Sequence, residues 1–318
     1  MSRFKPHIWF VLRVTFSILL LWLAFRHIDW SVLWAASQNL EAIWLVLAFL
    51  SIVTANLLAA ARWGWIMQRT GLSNPWQRYV SLYFAGGLIN QGLPSTLGGD
   101  SYRALQGSRH QTVDQGPAIR YGVFAVFLDR GMGLVGNTLL GAIGLMMAGT
   151  VVSPWASTLG IGLATLIISG IVMLGFLLKL THVTWLIQKL LRAARLPLGL
   201  NGLKSVVAWP INMAQLAVSL TVHLLTLATF GACLSAYGVT VPFEALLIGI
   251  PALGLLMMLP ISISGWGLRE TTLSAVLTWW GVPVSTTLLA SITYGLIILL
   301  AYLPATWVLL KKRPKHVS

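Results

Sequence analysis

The stretch Gln91–Ala104, QGLPSTLGGDSYRA, places a proline, two adjacent glycines, an aspartate and an arginine close together in a chain that is apolar over most of its length. Proline removes a backbone donor and glycine weakens a helix interior, so the stretch reads as a break in a helix. Where that break lies relative to a lipid bilayer decides the fold.

A bilayer is the solvent the rest of the chain demands. Of 318 residues, 57% are hydrophobic and only 9% charged, and the mean hydropathy is +0.82; soluble domains carry about 25% charged residues. The formal net charge of +14 would suggest nucleic acid in a soluble protein. Here the basic residues lie between apolar runs, as loops on the cytoplasmic side of a membrane do, and no nucleic-acid partner is expected. Cys233 has no second thiol or histidine cluster near it, so neither a disulfide nor a metal site is expected, and it reads as a packing residue.

Crossing a bilayer takes about 20 helical residues. Apolar windows of that length run over about 8–25, 42–61, 122–148, 156–178, 206–237 and 284–310. The first is preceded by Arg3 and Lys5 and lacks a small-residue cleavage site, and Trp9, Trp22 and Arg26 at its ends suit a retained helix. Lys and Arg cluster before the first window, after the second, at Arg103, Arg109 and Arg120, between 179 and 204, and at the end of the chain. Asp29, Glu41 and Glu244 mark the other side. Both termini are therefore expected in the cytoplasm, with 1–318 forming a single membrane domain.

Two apolar segments, 79–104 and 244–280, are interrupted midway by proline and glycine, and a simple crossing by either would break the charge parity. They are expected to be re-entrant helical hairpins entering from opposite faces, one in each half, 1–150 and 151–318. PSTLGGDSYR (Pro94–Arg103) laid on PISISGWGLR (Pro260–Arg269) superposes the proline, a glycine (Gly99 on Gly265) and the arginine, which is the pattern of an inverted repeat. The fold class is thus an all-α polytopic membrane protein with about six full spans and two re-entrant hairpins. A competing topology makes both segments full spans, eight in all. VTWLIQKLLRAARL (183–196) alternates apolar and basic residues at helical spacing and suits a helix on the cytoplasmic membrane surface; a solvated connector fits it nearly as well.

Unpaired backbone groups each cost several kcal/mol in hydrocarbon, so broken helices persist where protein or water covers them. A helix restarting near Asp100, and another near Gly267, would aim N–H groups and a positive dipole end inward, with Arg103 and Arg269 in the first turn. That chemistry attracts an anion such as phosphate. An arginine costs about 2.5–3.5 kcal/mol at the centre of an inserted helix, so Arg130 in FAVFLDRGMGLVG (124–136) needs a partner or a ligand. Arg103, Arg130 and Arg269 are candidate headgroup contacts, with Asn90, Gln91, Ser95, Gly98, Gly99 and Gly265 lining the breaks. The plainer reading is ion pairing: Asp100 with Arg103, Asp129 with Arg130 or Arg120, and Glu270 with Arg269. Those three acids are also the candidate proton carriers. Arg62, between tryptophans at a helix end, reads as a cytoplasmic interface anchor. His223, on an apolar helix, reads as a hydrogen-bonded packing residue. Trp76, Trp155, Trp185, Trp209, Trp279 and Trp280 read as interfacial belt residues.

Enzyme signatures are missing: no Walker loop, no GxGxxG after a strand, no HExxH and no GxSxG. No cofactor is expected.

RWGWIMQRTG (62–71), YFAGGLINQGLPSTLGGDSYRA (83–104), FLDRGMGL (127–134) and PISISGWGLRE (260–270) together resemble the lysylphosphatidylglycerol synthase transmembrane, or flippase-like, family. The resemblance runs from about Arg62 to the last span. Some members of that family fuse the membrane region to a soluble aminoacyl-transferring domain, and the membrane part is proposed to move the charged lipid between leaflets. This chain ends at Ser318 after a basic tail, so aminoacyl transfer is not expected of it. The resemblance implies lipid handling at a bacterial inner membrane, not a particular lipid; joined to the arginines and helix N-termini above, the expected function is translocation of an anionic, phosphate-containing lipid of the polyprenyl or glycerophospholipid type. One alternative is a membrane subunit, catalytic or not, presenting lipid to a partner glycosyl- or aminoacyltransferase. Another is a small-solute or ion transporter. The oligomeric state is not readable from the residues.

Overall fold

The computed structural model describes residues 40–93, 97–111, 117–153, 155–177, 211–259 and 264–310, together with Ser262 and a few isolated positions. The window at 8–25, the surface helix over 183–196, and Pro94, Ser95 and Pro260 lie outside the described residues. Among those described, every regular element is helical: α1 (Ala42–Arg69), α2 (Trp76–Gly92), α3 (Leu97–Ser108), α4 (Ala118–Ala148), α5 (Ala156–Leu177), α6 (Ile211–Ser235), α7 (Phe243–Leu256), α8 (Leu268–Leu277), α9 (Val284–Tyr302) and α10 (Thr306–Leu310). Short 3-10 turns follow α4, α8 and α9.

Among the described residues, four helical stretches are long and apolar enough to cross a membrane: Ala42–Arg69, Ala118–Ala148, Met213–Ser235 and Val284–Leu310. The chain is a multi-pass membrane protein. Its outward residues, such as Phe127, Leu166, Trp155 and Leu310, are large and apolar, as lipid contact requires. Proline sets the start of four helices. Pro75, Pro117, Pro242 and Pro283 stand at the N-caps of α2, α4, α7 and α9 with extended ψ, where the missing N–H leaves no helical bond unmade.

The order of elements repeats. The register that lays Gly99 on Gly265 also lays α1 on α6, α2 on α7, α3 on α8 and α4 on α9, and brings Pro117 onto Pro283. Contacts repeat with it. Helix α1 packs on α6 across the pair of halves, α4 packs on α6 as α9 packs on α1, and α4 packs on α7 as α9 packs on α2. Within each half the restart helix lies between the broken helix and the long one: α3 against α2 and α4, α8 against α7 and α9. Two halves of one construction therefore interlock.

Small residues permit the close approaches. A Cβ on Gly144 would run into Leu247 and one on Gly254 into Asn137, so α4 and α7 lie nearly backbone to backbone. Asn137 Nδ2 donates to the carbonyl of Pro251, inside α7, at 2.9 Å. Without a hydrophobic force between helices in lipid, such contacts and interhelical hydrogen bonds carry association. Cys233 is fully buried in the largest apolar cluster, with Leu227, Phe230 and Leu234.

Candidate functional site

At the first break, α2 ends at Gly92, Leu93 is extended, and α3 begins at Leu97, three residues before Asp100. Asp100 lies in the first turn of α3, whereas Arg103, expected there, lies in the second. The unpaired N–H of Gly99 is taken by Asn90 Oδ1 at 2.8 Å, so Asn90 caps the restart. Gly99 is pressed against α2, where a Cβ would collide with the carbonyl oxygen of Gly86. Gly98 is only half-buried and faces Leu93.

The second break is built by left-handed backbone. Ser264, Gly265 and Gly267 have φ of 51°, 77° and 81°, a region that costs a residue with a Cβ about 1–2 kcal/mol. Gly265 is buried against Met257. The N–H of Gly267, at the start of α8, donates to Glu270 Oε2 at 2.7 Å. The two breaks touch: Ser264 Oγ donates to Gln91 Oε1 at 2.9 Å.

Around the first break five charges alternate in a chain. Arg62 Nε donates to Asp129 Oδ1 at 2.9 Å, Arg103 Nη1 to Asp129 Oδ2 at 3.3 Å, and Arg103 Nη2 to Asp100 Oδ1 at 2.8 Å. Arg130 closes on Asp100 through Nε at 2.8 Å and Nη2 at 3.1 Å. The first four side chains are buried, but that of Arg130 is 43% exposed. Three guanidiniums face two carboxylates, which leaves one positive charge without a counter-ion inside the cluster. Arg103 also lies over the rings of Trp63 at 5.1 Å and Tyr83 at 4.7 Å, contacts that add about 0.5–2 kcal/mol each to holding a cation.

Two expectations change here. Arg62 is not an interface anchor: α1 runs on to Arg69, and the Arg62 side chain points inward to Asp129, bonding its carbonyl as well at 3.2 Å. Asp129 pairs with Arg62 and Arg103, not with Arg130 or Arg120. Neighbouring residues on a helix point about 100° apart, and Arg120 is exposed about two and a half turns away.

Around the second break the arrangement is closed. Arg269 Nε and Nη2 donate to Glu270 Oε1 at 3.0 and 2.7 Å, and Nε also reaches Ser291 Oγ at 3.1 Å. Ser291 Oγ donates in turn to Glu270 Oε1. Trp266 at 4.5 Å and Tyr294 at 5.8 Å sandwich the guanidinium. Gly295 leaves room for it, because a Cβ there would strike the guanidinium nitrogens. In the repeat register Gly295 falls where α4 carries Asp129. The same spot contacts the repeat arginine in both halves, as a counter-ion in one and as space in the other.

Trp63, Tyr83 and Tyr294, with Ser291 and Gly295, carry no local sequence signal, whereas Trp266 stands in the break motif three residues before Arg269. His223 Nε2 lies 2.9 Å from the carbonyl of Gly133. Trp76, Trp155 and Trp279 are exposed.

The sequence match decides the family. Residues 10–305 fit the lysylphosphatidylglycerol synthase TM region. The chain belongs to that family. A comparison with curated proteins finds no match. For a lysylphosphatidylglycerol synthase TM region, a membrane role in lipid modification or transport is the coarse function. The chain's own residues add two broken helices meeting at Gln91 and Ser264, with a charged cluster beside one of them.

Proposed function

We propose that the protein moves a lipid with an anionic, phosphate-containing headgroup between the leaflets of a bacterial inner membrane. The observation that carries this reading is the open end of the charge chain. Arg130 presents a half-exposed guanidinium fork on a cluster with one positive charge in excess. A phosphate matches that fork as a carboxylate does, and offers further oxygens. Asp100 occupies the fork in this structure and holds it in place. An arriving phosphate takes Arg130 while Asp100 keeps Arg103, so no carboxylate is left buried alone.

The broken segments 79–104 and 244–280 act as re-entrant hairpins in inverted orientation, with both termini cytoplasmic. Headgroups pass where the breaks meet, while acyl or prenyl tails stay in lipid. Arg103 and Arg269, buried and fully engaged, act as anchors that fix the breaks rather than as first contacts. The sequence has no nucleotide motif, so transport runs down a lipid gradient or draws on an ion gradient.

Proteoliposomes with fluorescent phosphatidylglycerol and a polyprenyl phosphate test the reading. Arg130→Ala should lower the translocation rate about tenfold, the loss of one charge-assisted bidentate contact, with insertion and melting unchanged. Equal rates in the variant and in protein-free vesicles, for both lipids, would end it. Because the family description names a synthase, a subunit that presents lipid to a separate transferase is the second reading. Co-purification with a transferase, and no translocation, would favour it.

A further inference from the structure

Asp100, Asp129 and Glu270, the acids described in the interior, are each bonded to arginine. Neutralising Asp129 or Glu270 strands a buried cation, and Asp100 is gripped by two guanidiniums, which makes all three poor proton carriers. His223 is different. It stands mid-way along α6, half-buried, with its ring against Gly136 of α4. Its Nε2 faces the Gly133 carbonyl, and a carbonyl only accepts, so Nε2 carries the hydrogen and Nδ1 the lone pair. Among the described residues Nδ1 has no hydrogen-bond partner.

The charges around it are few. α1 contributes Arg62, whose Nη2 would lie 3.6 Å from a Cβ on Gly133, the residue whose carbonyl faces the ring, and α4 carries Asp129, bonded to that same Arg62, and Arg130 at the far end of the cluster. α9 carries no charged side chain, and the one on α7, Glu244, lies in its first turn.

We infer that His223 is a proton site linked to anion occupancy of the arginine cluster. This rests on the reading of Arg130 as a headgroup contact. With the cluster's extra positive charge unanswered, the ring stays neutral. A phosphate at Arg130 supplies the negative charge, and Nδ1 then accepts a proton from water on the acidic side. Release of the anion on the other side returns that proton to water. Linkage makes the effect mutual: a proton on His223 tightens the anion, and the anion tightens the proton. The neutral pair crosses more cheaply than either charge alone.

Histidine signals followed by NMR over a pH series test this in full-length protein. The nanodiscs would hold phosphatidylcholine alone, or with added phosphatidylglycerol or a polyprenyl phosphate. His223→Gln identifies the signal, and also keeps an N–H for Gly133 while removing the titration. His223 should bind its proton about tenfold more tightly with at least one anionic lipid. That gain should vanish in Arg130→Gln, whereas surface histidines such as His110 should shift equally in both proteins. An unchanged His223, or a gain that persists in Arg130→Gln, overturns the proposal whether or not the protein translocates lipid. In proteoliposomes His223→Gln should keep translocating but lose its response to a pH gradient. A response equal to that of the natural protein would also overturn it, while leaving the headgroup reading intact.

Discussion

Arg103 and Arg269 occupy equivalent places after equivalent breaks, each held between a tryptophan and a tyrosine, yet their surroundings differ in kind. Arg269 finds its acid in the next residue, and that acid also caps the helix through Gly267. Charge, cap and turn are completed within one stretch of chain, closed by Ser291. Arg103 draws its acids from two helices, and the surplus cation at the far end is exposed. One half of the repeat thus has a self-contained clasp, and the other a distributed cluster that ends in a half-exposed guanidinium.

The largest effect should fall on the clasp. Glu270→Ala leaves Arg269 buried without a counter-ion and Gly267 N–H without an acceptor. It should cost about 3–5 kcal/mol, seen as loss of monodisperse protein or a collapse of the melting temperature in detergent. A mild phenotype would show that water reaches Arg269 and that the two halves are less different than described. Asp129→Asn, which weakens the hold on both Arg62 and Arg103, should come next. Its loss should be about 3 kcal/mol, and Arg62→Met together with it should recover part of the melting temperature. Gly99→Ala drives a Cβ into the Gly86 carbonyl and should cost about 1–3 kcal/mol, with α2 and α3 spread apart in hydrogen exchange. Asp100→Asn should be gentler, within about 1.5 kcal/mol, because Arg103 keeps Asp129 and Arg130 reaches water. The same variant should retain more anionic lipid through purification by native mass spectrometry. Equal retention would remove the contrast between an open and a closed site. The smallest change expected is that of Ser264→Ala, about 1 kcal/mol or less.

Much of this was legible in the sequence because breaks are written locally. Proline and glycine in QGLPSTLGGDSYRA weigh against an unbroken helix, and the echo at PISISGWGLRE marked its counterpart. Arg62 was misread because tryptophans and further basic residues follow it, as they do at a membrane edge. The signal against that reading was WGWIM directly after it, another helical turn that carries α1 onward. The partner of Asp129 was obscured by Arg130 next door, although helix geometry rules against that pairing. Glu270 and Arg269 do pair as neighbours because Glu270, in the first turn of α8, bends back to the Gly267 N–H. Trp63 and Tyr83 on Arg103, and Tyr294 on Arg269, come from other helices, and no local pattern announces a contact that only the packed bundle creates.

The hydrogen bond from Ser264 to Gln91 joins the two halves at their breaks, between residues 173 positions apart in one chain. At about 1 kcal/mol it favours the joined state by only about fivefold. Such a fastener opens and recloses on thermal motion alone. A headgroup with its own donors and acceptors can slip between the two side chains and replace their bond with two of its own. Under the proposed translocation, the joint is a turnstile, closed by default and released by the headgroup that passes it.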